Sequence, residues 1–328
     1  MPMSDYVSLS ARECAERLLA AEHPVVVMHV RPDGDTVGTA AALMALFHKL
    51  GKAPVYACSD PIPERLEFLL RDFREAYKYE LGDSDIVTVD VPTKEQIGEL
   101  YDYFPGVYLM IDHHEVGCPF ADNYVIPAAS SAGEVLMTVL EELVAMGKLD
   151  ITEDIASHLY AAISSDTGCF RYSNVTPETL RRSAVLIECG VDYASINHKL
   201  FNSKTPKQIR AEGFVADRIK TAFGGRVAYA TVSKRDRHSQ GATLEHFETA
   251  IDVVRSVEFV EISFVIKEMD NGEFKASLRS TGKDVAAIAK QFSGGGHVRA
   301  SGCTVPASSI GGAADILLER IGNAYYTE

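Results

Sequence analysis

Apolar and polar positions follow two different periods along this chain. From Pro24 the run PVVVMHV is a β-branched stretch that breaks at RPDGD, as a strand ending in a loop does. The next segment, TVGTAAALMALFHKLG, spaces its apolar residues as a helix does and closes at Gly51. Two further apolar runs, DIVTVDV (85–91) and VYLMIDHH (107–114), also stop at acidic or histidine residues, and helical segments are expected between them. Such alternation predicts an α/β fold: a mostly parallel sheet flanked by helices on both faces, with ligands at the carboxyl ends of its strands. Helices are predicted from about Ser131 to Met146 and from Thr152 to Ser165. Another is opened by Thr176 and Pro177 and stopped by Gly190.

The pattern changes after about residue 195. Residues 196–213 are polar with one proline and predict a connector. Beyond them GGRVAYATVS reads as a strand and TLEHFETAIDVVRSV as a helix, followed by a β-hairpin turning at Asn271-Gly272. A helix at DVAAIAKQF, the GGGH loop, a short strand at ASGCTV and a C-terminal helix complete the chain. The predicted organisation is therefore residues 1–195, a linker, and a smaller α/β domain at 214–328. A length of 328 residues suits two domains.

Composition narrows the function classes. With 46% apolar and 24% charged residues the chain is globular in type. Its apolar runs are far shorter than the roughly 20 residues of a membrane span, so no membrane partner is expected. The N-terminal stretch lacks a secretory pattern, and the expected compartment is the cytoplasm. Six scattered cysteines form no CxxC pair and read as reduced thiols. A net charge of −14 argues against a surface for long nucleic acids, whose affinity comes from many Lys and Arg on phosphates.

The candidate chemistry sits at four predicted strand ends: His29, Asp33 and Asp35; Asp90; Asp112, His113 and His114; and Asp166. Hard oxygen donors with a few imidazoles suit Mn²⁺ or Mg²⁺ better than a thiolate-bound zinc. Any one of these groups alone reads as a cap or turn residue. Four at one edge of one sheet read as a cage for two cations about 3.5–4 Å apart, which share a water over one phosphoryl group. Gly34 is expected to let the backbone bend between Asp33 and Asp35. The remaining histidines read as structural or solvated.

HVRPDGD, IDHH and SDTG, followed by SLRS and GGGHVRASG, resemble the DHH phosphoesterase family with its DHHA1 C-terminal domain, and within it the nanoRNase and pAp-phosphatase enzymes. The resemblance implies one Mn²⁺ on His29, Asp33 and Asp90 and a second on Asp35, Asp90, His113 and Asp166, with Mg²⁺ or Co²⁺ as substitutes. It implies that Asp112 orients the histidines and that His114 acts beside the scissile phosphate. Arg171, Arg279, Ser280 and the loop Gly294, Gly295, Gly296 and His297 are the implied substrate contacts. One departure is the segment VPTKEQIG after Asp90, which lacks an Arg found in many relatives. The implied activity is hydrolysis of short oligoribonucleotides to mononucleotides, of 3′-phosphoadenosine 5′-phosphate to AMP, or both, in a cleft that domain closure completes. Linear or cyclic dinucleotides are the alternative substrates, and a non-catalytic nucleotide sensor is the alternative of another class. Long duplexes are not expected as partners, and a homodimer is the default assembly.

Overall fold

Along Pro24–Val27 (β1) every residue is buried, because the strand is sandwiched. Val26 packs with Met28 into a core made with helices, and Val25 and Val27 pack into a second core on the opposite face. The computed structural model describes residues 6–115 and 117–326; residues 1–5, part of the N-terminal stretch read above, lie outside the described residues. β1 pairs in parallel with β2 (Val55–Ala57) on one side and β3 (Asp85–Val89) on the other, and β4 (Leu109–Asp112) and β5 (Asn123–Val125) follow in parallel. The order β2-β1-β3-β4-β5 puts a topological switch between β1 and β3. Open parallel sheets bind ligands outside the carboxyl ends at such a point.

Among the described residues α-helices cover one face of this sheet, and 3-10 turns lie on the other. The core on the helical face is built with α1 (Ala11–Ala20), α2 (Gly34–Lys49), α3 (Ala132–Ala145) and α4 (Glu153–Asp166). On the other face the expected helices are short 3-10 turns at Lys78–Asp83 and Lys94–Tyr103, the second broken at Gly98 with φ 73°, whereas the 3-10 turn at Glu64–Leu69 packs Leu66 and Leu69 into the helical core. α5 (Pro177–Glu188) begins as expected, with the Thr176 hydroxyl accepting from the Thr179 N–H at 3.1 Å.

Small residues set how closely α2, α3 and α4 approach. A Cβ on Gly38 would lie 2.8 Å from the Ala162 nitrogen and 2.9 Å from the His158 carbonyl oxygen, and one on Gly133 would lie 2.6 Å from the Ala162 Cβ. Gly34 corrects the expectation of a bend. It lies in the first turn of α2, and a Cβ there would meet the Ser165 Oγ at 2.2 Å. The glycine brings the start of α2 against the end of α4.

The chain divides into compact units at Ser203 and Lys204. The segment expected as a connector is shared between them. Ile196 of α6 (Tyr193–Asn197) and Leu200 pack in the core of the first unit, and Ala211 of α7 (Pro206–Ala216) packs in the second.

The second unit holds a six-stranded sheet with the order β10-β11-β9-β8-β7-β6. Its strands are β6 (Lys220–Ala222), β7 (Val227–Val232), β8 (Ile262–Glu268), β9 (Phe274–Ser280), β10 (Gly295–His297) and β11 (Ala300–Val305). One face carries Phe264, Ile266, Leu278 and Val305 under α10 (Val285–Lys290) and α11 (Ile310–Tyr325). α8 (Lys234–Ser239) follows β7. The predicted helix at 243–257 is a 3-10 turn and a separate α9 (Ala250–Arg255), and the hairpin turns at Gly272 with φ 86° as expected. Among the described residues no helix is long and apolar enough to cross a membrane.

Candidate active site

Three of the four expected clusters stand at strand ends, and the fourth stands at a helix end. His29 follows β1, Asp90 follows β3, and Asp112 closes β4 with His113 and His114 after it, whereas Asp166 is the last residue of α4. Asp33 is the N-cap of α2, its Oδ1 accepting from the Asp35 and Thr36 N–H groups at 3.0 and 3.2 Å. Asp90 is held at φ 60°, a left-handed conformation that Asp tolerates better than most residues. Its N–H is fixed to the Ile111 carbonyl at 2.9 Å.

These elements bring the side chains into overlapping groups. Donor atoms of His29, Asp33 and Asp90 lie within 4.8 Å of one another, as do those of Asp35, His113 and Asp166, and those of Asp90, Asp112 and His114. His29 Nδ1 faces the Val30 carbonyl at 2.8 Å and His113 Nδ1 faces the Ala129 carbonyl at 3.3 Å. A carbonyl only accepts, so each Nδ1 carries a proton, and each Nε2 is the nitrogen turned to the carboxylates, donating to them when protonated and free to bind a cation when it is not. Nε2 of His29 is 3.4 Å from Asp90 and 3.8 Å from Asp33; Nε2 of His113 is 3.5, 3.7 and 3.9 Å from Asp90, Asp35 and Asp166. Imidazoles tied down in this way are those that hold metals. His114 differs: its Nδ1 bonds the Asp112 carboxylate at 2.8 Å. The buried Oδ1 of Asp90 accepts no hydrogen bond.

Burial opposes charge on each of these groups, so the direction of each shift shows which neighbours prevail. Burial and then Asp90 raise Asp35 well above the ordinary carboxylate range. Burial also carries Asp166 up to about 7 against the pull of His113. Burial is outweighed at Asp33 by His29, and at Asp90 by His113 and His29, so both carboxyls are held low. The imidazoles go the other way: burial would lower them, but Asp33 and Asp90 push His29 up to about 12, and Asp90 pushes His113 up to about 11. Protons are held where cations would serve. The donor set, hard oxygens with two oriented imidazoles, fits divalent metal ions.

Several supporting groups carry no sequence signal. Asp35 is fixed by the start of α3, through the Ala132 and Gly133 N–H groups at 2.7 and 3.1 Å, and by the Thr39 hydroxyl at 3.1 Å. After α4 the chain reverses through Gly168, Cys169 and Phe170 at φ 56°, 59° and 61°. Asn174 thereby returns to Asp166, its Nδ2 donating to the Asp166 carbonyl at 3.1 Å, to Asp166 Oδ2 at 3.3 Å and to the Ser130 carbonyl at 2.9 Å. Replacing Asn174 with Ala is expected to weaken Mn²⁺ binding by about 10–100-fold, the usual cost of losing a ligand's orienting partner. Calorimetric titration of the metal checks this, and an unchanged affinity would reject the orienting role.

The expected substrate contacts separate into groups. Arg171 is exposed, donates Nε to the Gly168 carbonyl at 2.6 Å and lies over the Phe201 ring at 5.9 Å. In the second unit Arg279 pairs across the sheet with Ala300, and Ala300 with His297, so Arg279 and His297 share one row on one face. Ser280 faces away from that row and donates its hydroxyl to the Lys283 carbonyl. Gly294 and Gly296 have structural reasons to be glycine: a Cβ would meet the Gly302 oxygen at 2.3 Å and the Ala300 oxygen at 2.5 Å, respectively. A Cβ on Gly295 would meet nothing.

Comparison with known proteins places the chain in a family. The N-terminal domain of the DHH family matches residues 24–163, and the DHHA1 domain matches residues 207–323. The chain is 30% identical over 312 residues to the bifunctional oligoribonuclease and PAP phosphatase NrnA of Thermus thermophilus, covering 94% of this chain and 93% of that protein. It is 26% identical to the Bacillus subtilis protein of the same name, covering 84% and 87%. In fold it is similar to an exopolyphosphatase-related protein from Bacteroides fragilis, at a TM-score of 0.86 and 24% identity over 98% of both chains.

Proposed function

The chain belongs to the DHH family, with a DHHA1 domain in its C-terminal part, and from that premise we propose that it is a hydrolase of phosphate esters acting on short oligoribonucleotides and on 3′-phosphoadenosine 5′-phosphate. The observation that carries this is the pair of donor groups flanking Asp90, each with one imidazole whose Nδ1 is tied to a carbonyl. His29, Asp33 and Asp90 would hold one divalent ion, and Asp35, His113 and Asp166 the other, with Asp90 reaching both. When bound, the ions supply polarisation of a phosphoryl oxygen and acidification of a water.

The protein's own groups do the rest. The N–H groups at the start of α3 hold Asp35 in place, and Asn174 holds Asp166. Asp112 takes the Nδ1 of His114, which leaves Nε2 as the ring nitrogen able to pass a proton to the leaving oxygen. Arg171, Arg279 and His297 are suited to an anionic substrate. The reading includes Mn²⁺ as the preferred ion, a homodimer, and a cytoplasmic setting in which the six thiols stay reduced.

The test is product release from pAp, pApA, RNAs of two to five nucleotides, a twenty-four-nucleotide RNA and pyrophosphate, with Mn²⁺ or with EDTA. The short RNAs and pAp should turn over with Mn²⁺ only. The long RNA should be slower by about tenfold or more, a difference of roughly 1.4 kcal/mol. Preference for the long RNA, or no metal-dependent turnover, would overturn the reading.

A further inference from the structure

One short turn reaches all three side chains of the group Asp35, His113 and Asp166. Residues 129–133, ASSAG, lead from β5 into α3. The Ala129 carbonyl faces His113 Nδ1 at 3.3 Å. The Ser130 carbonyl accepts from Asn174 Nδ2 at 2.9 Å, the same nitrogen that reaches Asp166 Oδ2 at 3.3 Å. The Ala132 and Gly133 N–H groups hold Asp35 at 2.7 and 3.1 Å. The other group is oriented separately, His29 by the Val30 carbonyl and Asp33 by the first N–H groups of α2. Displacing the turn would misaim Asp35, His113 and Asp166 together and leave His29 and Asp33 as they are.

Glu134 holds this turn from behind. Ser131 caps α3 by accepting from the Glu134 N–H at 3.0 Å. In an ordinary capping box the glutamate at that position returns its carboxylate to the N–H of the capping residue. Here it reaches one residue further back. Its Oε2 accepts from the Ser130 N–H at 3.0 Å, from the Ser130 hydroxyl at 2.6 Å and from the Thr179 hydroxyl of α5 at 2.8 Å, and its Oε1 accepts from Arg182 of α5 at 3.0 Å. Glu134 is 2% exposed, and Ser130 and Thr179 are fully buried. Burial would raise the Glu134 carboxyl, but the Ser130, Thr179 and Arg182 donors hold it low. Capping a helix does not require a buried charge, and an ion pair taken out of water adds little net stability; its better-attested use is to fix one arrangement. The arrangement fixed here is Ser130 against α5.

We propose that Glu134 is a positioning residue for the second divalent ion: by clamping Ser130 to α5 it sets the turn that aims Asp35, His113 and Asp166. This role rests on the reading of the site as a centre for two divalent ions. It adds that the two ions have separate supports, so that one can be lost without the other.

The test compares the full-length wild type with Glu134→Ala, Glu134→Gln and Leu143→Ala. Leu143 is buried in α3 away from the turn, and its truncation destabilises the same helix by leaving a cavity. In Mn²⁺ calorimetry the Glu134→Ala variant should bind one ion about tenfold or more weakly and the other within about threefold of wild type. The Gln variant retains one oxygen for Ser130 and should show the same selectivity with a smaller loss, so it carries the comparison where the Ala variant fails to fold. Leu143→Ala should melt at a lower temperature and keep both ions, which separates positioning from stability. A second readout needs no metal: in EDTA the His113 Nδ1 proton, followed by NMR, should exchange about tenfold faster in the Glu134 variants, with the His29 Nδ1 proton unchanged. Equal weakening of both ions, unchanged binding of both, or an equal loss in Leu143→Ala would overturn the role. Failure of the wild type to bind any divalent ion would instead overturn the reading of the site, and the His113 exchange would still decide whether Glu134 sets the turn.

Discussion

Replacing Asp90 with Asn should lower metal-dependent kcat/KM on short RNA by about a thousandfold or more, close to the several kcal/mol that a metal ion contributes to phosphoryl transfer. Among the carboxylates of the site, Asp90 is placed to reach every imidazole: His29 and His113 Nε2 at 3.4 and 3.5 Å and His114 Nδ1 at 3.6 Å. Its Oδ1 is buried without a hydrogen bond, a state that costs free energy unless a cation or another donor arrives. An amide keeps the size, and Asn tolerates the left-handed backbone at φ 60° at least as well as Asp does. The fold should therefore survive while the shared negative charge is removed. Manganese titration should show the number of tightly bound ions falling, with circular dichroism unchanged. An Asn variant within tenfold of wild-type activity would remove Asp90 from the centre of the mechanism.

The parts of this site legible in the sequence are those in which one residue type must stand where a regular element ends. A β-branched run that stops at His29 or Asp90 declares both the strand and the edge from which its donor projects. Asp166 is legible as a donor, and the helix predicted over Thr152–Ser165 ends directly before it, so a place among the strand ends conflicts with the helix that the same residues declare. Asn174 leaves no trace: its contact with Asp166 depends on three consecutive left-handed residues, two of them Cys169 and Phe170, which no propensity favours. Gly34 stands out in the sequence for the wrong property, since the space beside Ser165 is decided by the packing of α2 on α4. The layer of 3-10 turns is equally hard to read, because Leu81, Ile97 and Leu100 fill the core of the second face without a helical period. In the second unit Arg279 is legible from its motif, but Ser280 next to it points to the other face, as the alternation of a strand requires.

Acid–base behaviour should separate the metal-free protein from the loaded one. Asp35 and Asp166 bind protons in the folded state, Asp166 up to about 7, that an unfolded carboxylate with the ordinary value of 3.8 has released. Between about pH 4 and 7 the folded state therefore holds more protons than the unfolded chain, and stability falls as pH rises. His29 and His113, raised to about 12 and about 11 from 6.5, contribute stability that is complete below pH 6.5 and declines above it. Asp33 and Asp90, held low, contribute stability that is present throughout this range and adds no slope. The melting temperature in EDTA should consequently fall steadily from pH 5 to pH 8. Divalent ions must displace these protons, so their affinity rises with pH and their binding releases protons. At a hundredfold excess over Kd each ion adds about 2.7 kcal/mol, roughly 5–10 °C per ion for a unit of this size, and the gap between the Mn²⁺ and EDTA curves should widen with pH. Calorimetry in two buffers of different ionisation enthalpy counts the released protons directly. A melting temperature in EDTA that rises from pH 5 to 8, or metal binding without proton release, would show that the carboxylates and imidazoles of this site do not share protons in the way their burial and spacing dictate.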